Sequence, residues 1–444
     1  MRRSAWRFLF FSADIRNRLL LSIMLLILYR LVAHVPVPGV NRDAIAGVLG
    51  GQGQTLFGLL DLLSGGTVSN FSVLAMGVYP YITAQIILQL VTPLIPALQR
   101  RMEEDPREGR KWMEKWTYYL AVPMAALNAI GQIRLFQQYA IGQGESVLTY
   151  QLGLNLSTFT TILSMTAGTM FAIWLGELIS EYGIRNQGLS LIIFAGIVSR
   201  IPSNLGQILV DQEQRGSLLL FVLLIMIVTI FAIVFVQEGR RNVPVMYPGR
   251  RVGHRMSMPV KGTLPLMVNM AGMIPLIFAQ SLLTFPAVVA QFFIGSANAT
   301  VQNIAVWLQN TFGGISNTYW VLYFLFVVGF TFFYTDVLFA QQNYGENLKR
   351  SGAQVPGVTK GVATQRYLTR VLRRITLPGA VFLGIVAVMP FLVGLVWPVG
   401  GKNTGLLLVS SAGLLIVVGV IRDVYRSIEA ELKLRGYDQA LLVR

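Results

Sequence analysis

Few side chains in this sequence could do covalent or metal chemistry. It contains no cysteine and two histidines, His34 and His254. The lack of cysteine excludes thiolate zinc sites, iron–sulfur clusters and cysteine nucleophiles. Neither histidine has a partner at ligand or relay spacing, so both read as structural. No His-Glu-x-x-His, Gly-x-Ser-x-Gly or Walker loop occurs. The glycine-rich run at 50–55, "GGQGQT", follows no strand and opens no nucleotide-binding unit. The chain is therefore not expected to be an enzyme, and no metal or cofactor is expected. Charges inside apolar stretches would mark a pump, because each costs at least ~2.5 kcal/mol at the bilayer centre. Only Arg30 and Asp336 are so placed. An isolated arginine suits backbone carbonyls or snorkelling better than a proton relay. Uncharged polar residues are more numerous: Thr83, Gln85, Asn128, Asn269 and Gln280 all fall within apolar stretches. Such groups bond across helices for under ~1 kcal/mol each. They suit helices that must sometimes part, or they are ordinary interhelical glue.

The elements that must position these residues are helical spans. The 444 residues carry a net charge of +16 and are 54 % apolar but only 13 % charged. Soluble proteins carry roughly 25 % charged residues. Disordered, fibrous and disulfide-rich classes are excluded, and an all-α polytopic membrane protein is expected. Ten apolar stretches are long enough to span, at about 19–36, 71–95, 117–136, 156–179, 189–209, 217–237, 264–290, 319–340, 375–397 and 404–422. No small-residue cleavage site follows the first, so it does not read as a cleaved signal. Of 36 Lys and Arg, 30 fall in the N-terminus, the even-numbered connections and the C-terminal tail, and five on the opposite side. Both termini are thus expected in the cytoplasm. An even division gives a half at 19–215 and a half at 216–422, flanked by segments 1–18 and 423–444. Five spans per half would make the halves inverted relatives with a path between them.

Two further features matter. Segment 55–85 is apolar but interrupted: Phe57 to Leu63 is too short to cross a bilayer, Ser64-Gly65-Gly66 ends it, and Pro80 interrupts the next run. It reads as a short re-entrant helix facing a cavity, or as an interfacial helix lying on the membrane. The basic connections 238–263 and 341–374 are long and contain Gly-Pro turns. Within the first, "VPVMY" reads as a short strand. Loops of this kind suit an anionic partner, RNA or an acidic protein surface, beyond the plain positive-inside bias. The uncharged stretch 287–318 suits an external or membrane-embedded loop. A small-solute transporter with inverted repeats is the alternative reading, though it needs more ionisable residues at mid-membrane than the spans offer.

Five strings carry a resemblance: "YRLVAHVPVPGVN" (29–41), "LLSGGTVSNFSVLAMGVYPYITAQIILQL" (62–90), "EYGIRNQGLSLIIFAGIVSRIP" (181–202), "LPLMVNMAGMIPLIFAQSLLTFP" (264–286) and "ENLKRSGAQVPGVTKG" (346–361). In order and spacing they resemble the bacterial SecY protein-conducting channel family, from about residue 14 to 440. The resemblance implies ten transmembrane helices in two inverted pseudo-symmetric halves, with an hourglass pore between them. A plug helix would lie at about 57–71, comprising Phe57, Leu59, Leu60, Asp61, Leu62, Leu63, Ser64, Gly65 and Gly66. A ring of aliphatic side chains would close the waist: Val78, Ile82, Leu189, Ile193, Ile277 and Ile416. Thr83, Asn128 and Asn269 would match the polar cluster of a lateral gate between the second and third spans and the seventh and eighth. Arg240, Arg241, Arg250, Arg251, Arg255, Lys349, Arg350, Lys360 and Arg366 would line docking surfaces for the ribosome and the SecA motor ATPase. SecE and SecG are the implied small membrane partners, unfolded preproteins with signal sequences the cargo, and the bacterial inner membrane the location. Transmembrane segments would leave sideways into lipid.

There are two departures. The family usually reads Pro-Gly-Ile-Arg-Pro-Gly where this chain reads Pro356-Gly357-Val358-Thr359-Lys360-Gly361. Lysine one position on restores the charge without arginine's two-pronged geometry. The turn "GIRNQGLS" (183–190) is one residue longer than usual.

Overall fold

The computed structural model describes residues 13–41 and 71–434, except 93–94, 142–147, 149, 151–152, 154, 211–214, 249–250, 253–254, 257–259, 292, 295–297, 314–315 and 397–403. Helices follow the apolar stretches: α1 (Ala13–Val32), α2 (Tyr79–Val91), α3 (Pro96–Glu104), α4 (Pro106–Ile141), α5 (Leu156–Tyr182), α6 (Gly188–Val210) and α7 (Arg215–Glu238). After them come the strands β1 (Arg240–Tyr247), β2 (Arg251–Val252), β3 (Arg255–Met256) and β4 (Val260–Met267). The chain continues through α8 (Ile274–Gln291), α9 (Ala299–Phe312), α10 (Asn317–Gln342), α11 (Tyr344–Arg350), α12 (Val362–Val396) and α13 (Thr404–Leu434). Among the described residues three helical runs are long and apolar enough to cross a bilayer: α5, Asn317–Arg350 containing α10, and Val362–Met389 of α12.

The helices before 211 pack on one another, α1 on α5 and α6, α2 on α4, and α4 on α5. Those after 214 do the same, α8 on α10, α10 on α12, and α13 on α7 and α12. The two groups meet along two lines. On one, α6 packs against α7 and α13; on the other, α2 and α4 pack against α8. Close helix approach in the first group depends on glycine. A Cβ on Gly188 would stand 1.7 Å from the Gly176 carbonyl oxygen, so α5 and α6 can touch there only without one.

Two helix starts differ from expectation. Residues 71–78 are as apolar as a span, yet they form turns, with Phe71 at φ 40° and Gly77 at φ 51°. The helix begins only at Tyr79, so Pro80 sits in its first turn, where a missing N–H costs nothing. Pro80 starts this helix and does not interrupt it. Likewise 264–267 belong to β4, and α8 begins at Ile274. The stretch 287–318, expected to be loop, holds α9, whose N-terminus Asn298 caps by accepting from the Thr300 amide.

The basic connections fold together. β1 pairs with β4 in antiparallel register from Arg240–Met267 to Tyr247–Val260, which confirms the strand expected at "VPVMY". Met246 then exchanges backbone hydrogen bonds with Gln354 at 2.8 and 3.0 Å, joining the two loops. Val243, Val245, Leu266, Leu348, Ala353 and Val355 bury a shared core with Phe339, Leu368 and Leu372 from the ends of α10 and α12. Tyr344 packs on Phe339. The loops therefore have a core of their own, unlike a solvated linker.

Candidate functional site: an aliphatic waist between two helix groups

The six aliphatic residues expected at a waist come from well-separated parts of the chain. Val78 and Ile82 lie at the start of α2, Leu189 and Ile193 in the first turns of α6, Ile277 in the first turn of α8, and Ile416 mid-way along α13. Val78, Ile193 and Ile416 are buried in one apolar cluster, with Ile82 and Leu189 packed against it. Ile277 joins through a second cluster with Tyr79 and Ile82. Four helices from both groups thus contribute these side chains to two apolar clusters that share Ile82. Such a region offers a passing molecule no specific hydrogen bond. When narrow it excludes ions by dewetting.

The three polar residues expected at a gate are not brought into mutual hydrogen bonding. Thr83 donates to the carbonyl of Tyr79 one turn back, at 3.0 Å. Asn269 lies in the turn before α8, outside the helix where sequence placed it. Its side chain accepts from the Gly272 amide at 2.9 Å and donates to the Gly272 carbonyl at 3.0 Å. That clasp, with Gly272 at φ 65°, turns the chain out of β4 and starts α8. Asn128 differs: its Nδ2 is buried without a hydrogen-bond partner, as is the Gln132 Oε1 one turn on. Gln132 was not singled out from sequence. The signal was its spacing of four from Asn128 on α4, a helix that packs against α8.

The contact between α2 and α8 is largely apolar. Ile82, Ile86 and Leu90 pack with Ala271, Ile274 and Phe278, and Phe278 meets Tyr334 of α10 edge-on at 5.6 Å between ring centres. Near the start of α10, Tyr319 stacks on Tyr323, and Trp320 stacks on Phe391 of α12. These rings carried no pattern in sequence that separated them from lipid-facing aromatics.

The plug residues Phe57, Leu59, Leu60, Asp61, Leu62, Leu63, Ser64, Gly65 and Gly66 lie outside the described residues. Phe71, at the end of that segment, is buried edge-on against Phe136. Among the docking residues, Arg240, Arg241, Lys349, Arg350, Lys360 and Arg366 are exposed around the β1–β4 block. Arg251 and Arg255 fall in β2 and β3, and Arg250 lies outside the described residues. Asp336, one of the two charges in the spans, holds Arg373 of α12 in a two-pronged ion pair, closest at 2.9 Å. Arg426 of α13 reaches Glu238 of α7 at 3.0 Å, and Arg18 of α1 reaches Glu431 of α13 at 2.9 Å.

The chain matches known proteins over nearly its whole length. The family model described as SecY matches residues 72–425. The protein translocase subunit SecY of Aquifex aeolicus is 36 % identical over 437 residues, covering 97 % of both chains. That of Chlamydia muridarum is 37 % identical over 456 residues, covering 98 % of this chain and 97 % of the relative. Among solved structures, one described as a protein conducting channel superposes with a TM-score of 0.65 over 95 % of this chain and 93 % of that one, at 17 % identity. Sec61 in the canine ribosome-channel complex superposes with a TM-score of 0.62 over 94 % of this chain and 92 % of that one, also at 17 % identity. The fold follows from the superpositions and the family from the sequence matches: the chain belongs to the SecY family of protein translocase subunits.

Proposed function

We propose that this chain is the channel through which unfolded secretory polypeptides cross the bacterial inner membrane. The carrying observation is that Val78, Ile82, Leu189, Ile193, Ile277 and Ile416, drawn from both helix groups, fall in two apolar clusters that share Ile82. Apolar side chains seal against ions at rest, yet bind no particular side chain of a moving polypeptide. The SecY family supports this reading and gives none to the small-solute transporter considered from sequence.

In this reading both termini and the β1–β4 block face the cytoplasm, as the charge bias requires. Segment 57–71 would plug the path from the other side. The two halves, 19–215 and 216–422, would be inverted relatives of five spans each. A signal sequence or transmembrane segment would leave between α2 and α4 on one side and α8 and α10 on the other. Its driving force is direct transfer to lipid, about 0.3–0.6 kcal/mol for each Leu-type residue at the helix centre. The chain itself supplies no energy. SecA or a translating ribosome would push from the basic face, with SecE and SecG as membrane partners. The ribosome-bound Sec61 neighbour supports the ribosome as a partner.

The test is proteoliposomes holding the full chain with SecE and SecG, given SecA, ATP and a secretory precursor. ATP-dependent protection of the precursor from added protease is expected. Full accessibility, with a known translocase protecting in parallel, would contradict the channel reading.

A further inference from the structure

α9 turns apolar side chains away from the protein as well as toward it. On its inner face Ala305 is buried, and Val301, Leu308 and Phe312 are half-buried, at steps of four, three and four residues. This is the face of a helix packed on neighbours, here α8 and α10. The remaining surface divides in two. On one flank Ile304 and Trp307 are 55 % and 62 % exposed, with Thr311 one turn further on. On the opposite flank Gln302, Val306 and Asn310 follow at steps of four, all exposed.

The exposed apolar groups of α9 are not isolated. Leu282, Phe285, Val289 and Phe293 form an exposed stripe that runs along α8 and past its end, and Val321 and Leu325 are exposed at the start of α10. α10 is long and apolar enough to cross a bilayer, so lipid is what covers its exposed side. Between these stripes the chain keeps the same character, with no charged residue from 287 to 318. A charged partner has nothing to pair with there, and water alone would wet Ile304 and Trp307. α9 has 14 residues and is about 21 Å long, too short for the ~30 Å hydrocarbon core. A helix with one apolar and one polar flank that cannot cross a bilayer lies along its surface. Tryptophan suits that depth, with its ring at the acyl boundary and its N–H among headgroups. The polar flank carries amides in place of lysine or arginine, so attraction comes from apolar area and not from headgroup charge.

We propose that α9 is an interfacial anchor. It lies along the membrane surface opposite the basic loops, with Ile304 and Trp307 against the acyl boundary and Gln302 and Asn310 toward water. Because it connects α8 to α10, it holds the far ends of both helices at one depth in the bilayer.

The native chain has no cysteine, so nitroxide labels can be placed one at a time in the full chain. Gln302→Cys, Ile304→Cys, Trp307→Cys and Asn310→Cys are labelled and reconstituted into phosphatidylcholine vesicles. Leu325→Cys on α10 is the lipid reference and Lys261→Cys on β4 the water reference, both exposed. Collision with oxygen, which concentrates in lipid, is compared with collision with a water-soluble nickel chelate. Oxygen should dominate severalfold at 304 and 307, as at 325, and the chelate at 302 and 310, as at 261. The same pattern is expected in phosphatidylglycerol vesicles, because α9 carries no charge. Chelate dominating at 304 and 307 would put that flank in water and overturn the proposal. Spin–spin broadening at 307, with neither reagent reaching the label, would assign the flank to a second copy of the chain and also overturn it. A second measurement leaves the sequence unaltered: a carbene-forming lipid probe should label Ile304 and Trp307 in preference to Gln302 and Asn310. Equal labelling of the two flanks, or labelling of α10 with none on α9, would contradict the anchor.

Discussion

Along one meeting line, α6 contributes Leu191, Ile192, Ile193 and Ile197 to a cluster with Leu415, Ile416 and Val420 of α13 and Ile233 of α7, all buried. The last helix of the first group, α6, and the first of the second, α7, are also consecutive in the chain. Along the other line, α2 and α4 meet α8 through a smaller apolar patch around Ile82, Ile86 and Ile277, with no covalent connection beside it. Unpartnered polar atoms occur on helices of both lines, those of Asn128 and Gln132 on α4 and those of Thr229 and Gln237 on α7. Aliphatic packing in a bilayer gains contact but little hydrophobic drive, and a buried polar group without a partner costs about 1–3 kcal/mol. The second line has the smaller buried aliphatic patch. If the groups part, they part there and pivot on the α6–α13 side. In this reading a gate needs no special hinge element, only one meeting line with less buried aliphatic contact than the other.

The largest effect is expected from fastening the second line. The chain lacks cysteine, so Ile82→Cys with Ile277→Cys offers a short thiol crosslinker its only targets. Crosslinked channels should transport no precursor, while uncrosslinked double mutants transport normally. Unimpaired transport by the crosslinked form would mean α2 and α8 need not separate. A smaller effect is expected on the first line. Ile193→Ser with Ile416→Ser wets the waist, so resting ion conductance of proteoliposomes should rise while transport continues. Unchanged conductance would place the seal elsewhere. Smaller again is Asn128→Leu. Removing an unpartnered amide should stabilise the closed line by about 1–3 kcal/mol, read as a higher melting temperature with slower transport. A lower melting temperature would show that Asn128 is satisfied in the closed state. Smallest is Asp336→Asn. Its pair with Arg373 joins α10 to α12 within one group and is half exposed, so its loss should cost under ~1 kcal/mol and leave transport intact.

Much of this was legible in the residues. Long apolar runs marked the helices, and the turn-bounded "VPVMY" marked β1. The true starts of α2 and α8 were not legible, because 71–78 and 264–267 are as apolar as the helices beside them. What holds them out of helix is long-range or conformational: the positive φ at Phe71 and Gly77, the β1–β4 pairing, and the Asn269 clasp. Asp336 was legible as a costly charge, but its partner stands 37 residues away on another helix. The waist residues are chemically the same as lipid-facing aliphatics. Family resemblance, and not periodicity, singled them out, and the apolar clusters they share are visible only in three dimensions. The departure at Thr359-Lys360 falls on an exposed turn joined to the β1–β4 block, away from the waist.

The most direct test places a photo-crosslinker at Ile277 and, separately, at Phe235 on the exposed face of α7, in proteoliposomes carrying a stalled secretory precursor. Crosslinks at Ile277 that require both ATP and an intact signal sequence, with none at Phe235, are the predicted result. A precursor protected from protease that never crosslinks to Ile277 would contradict passage through the aliphatic waist.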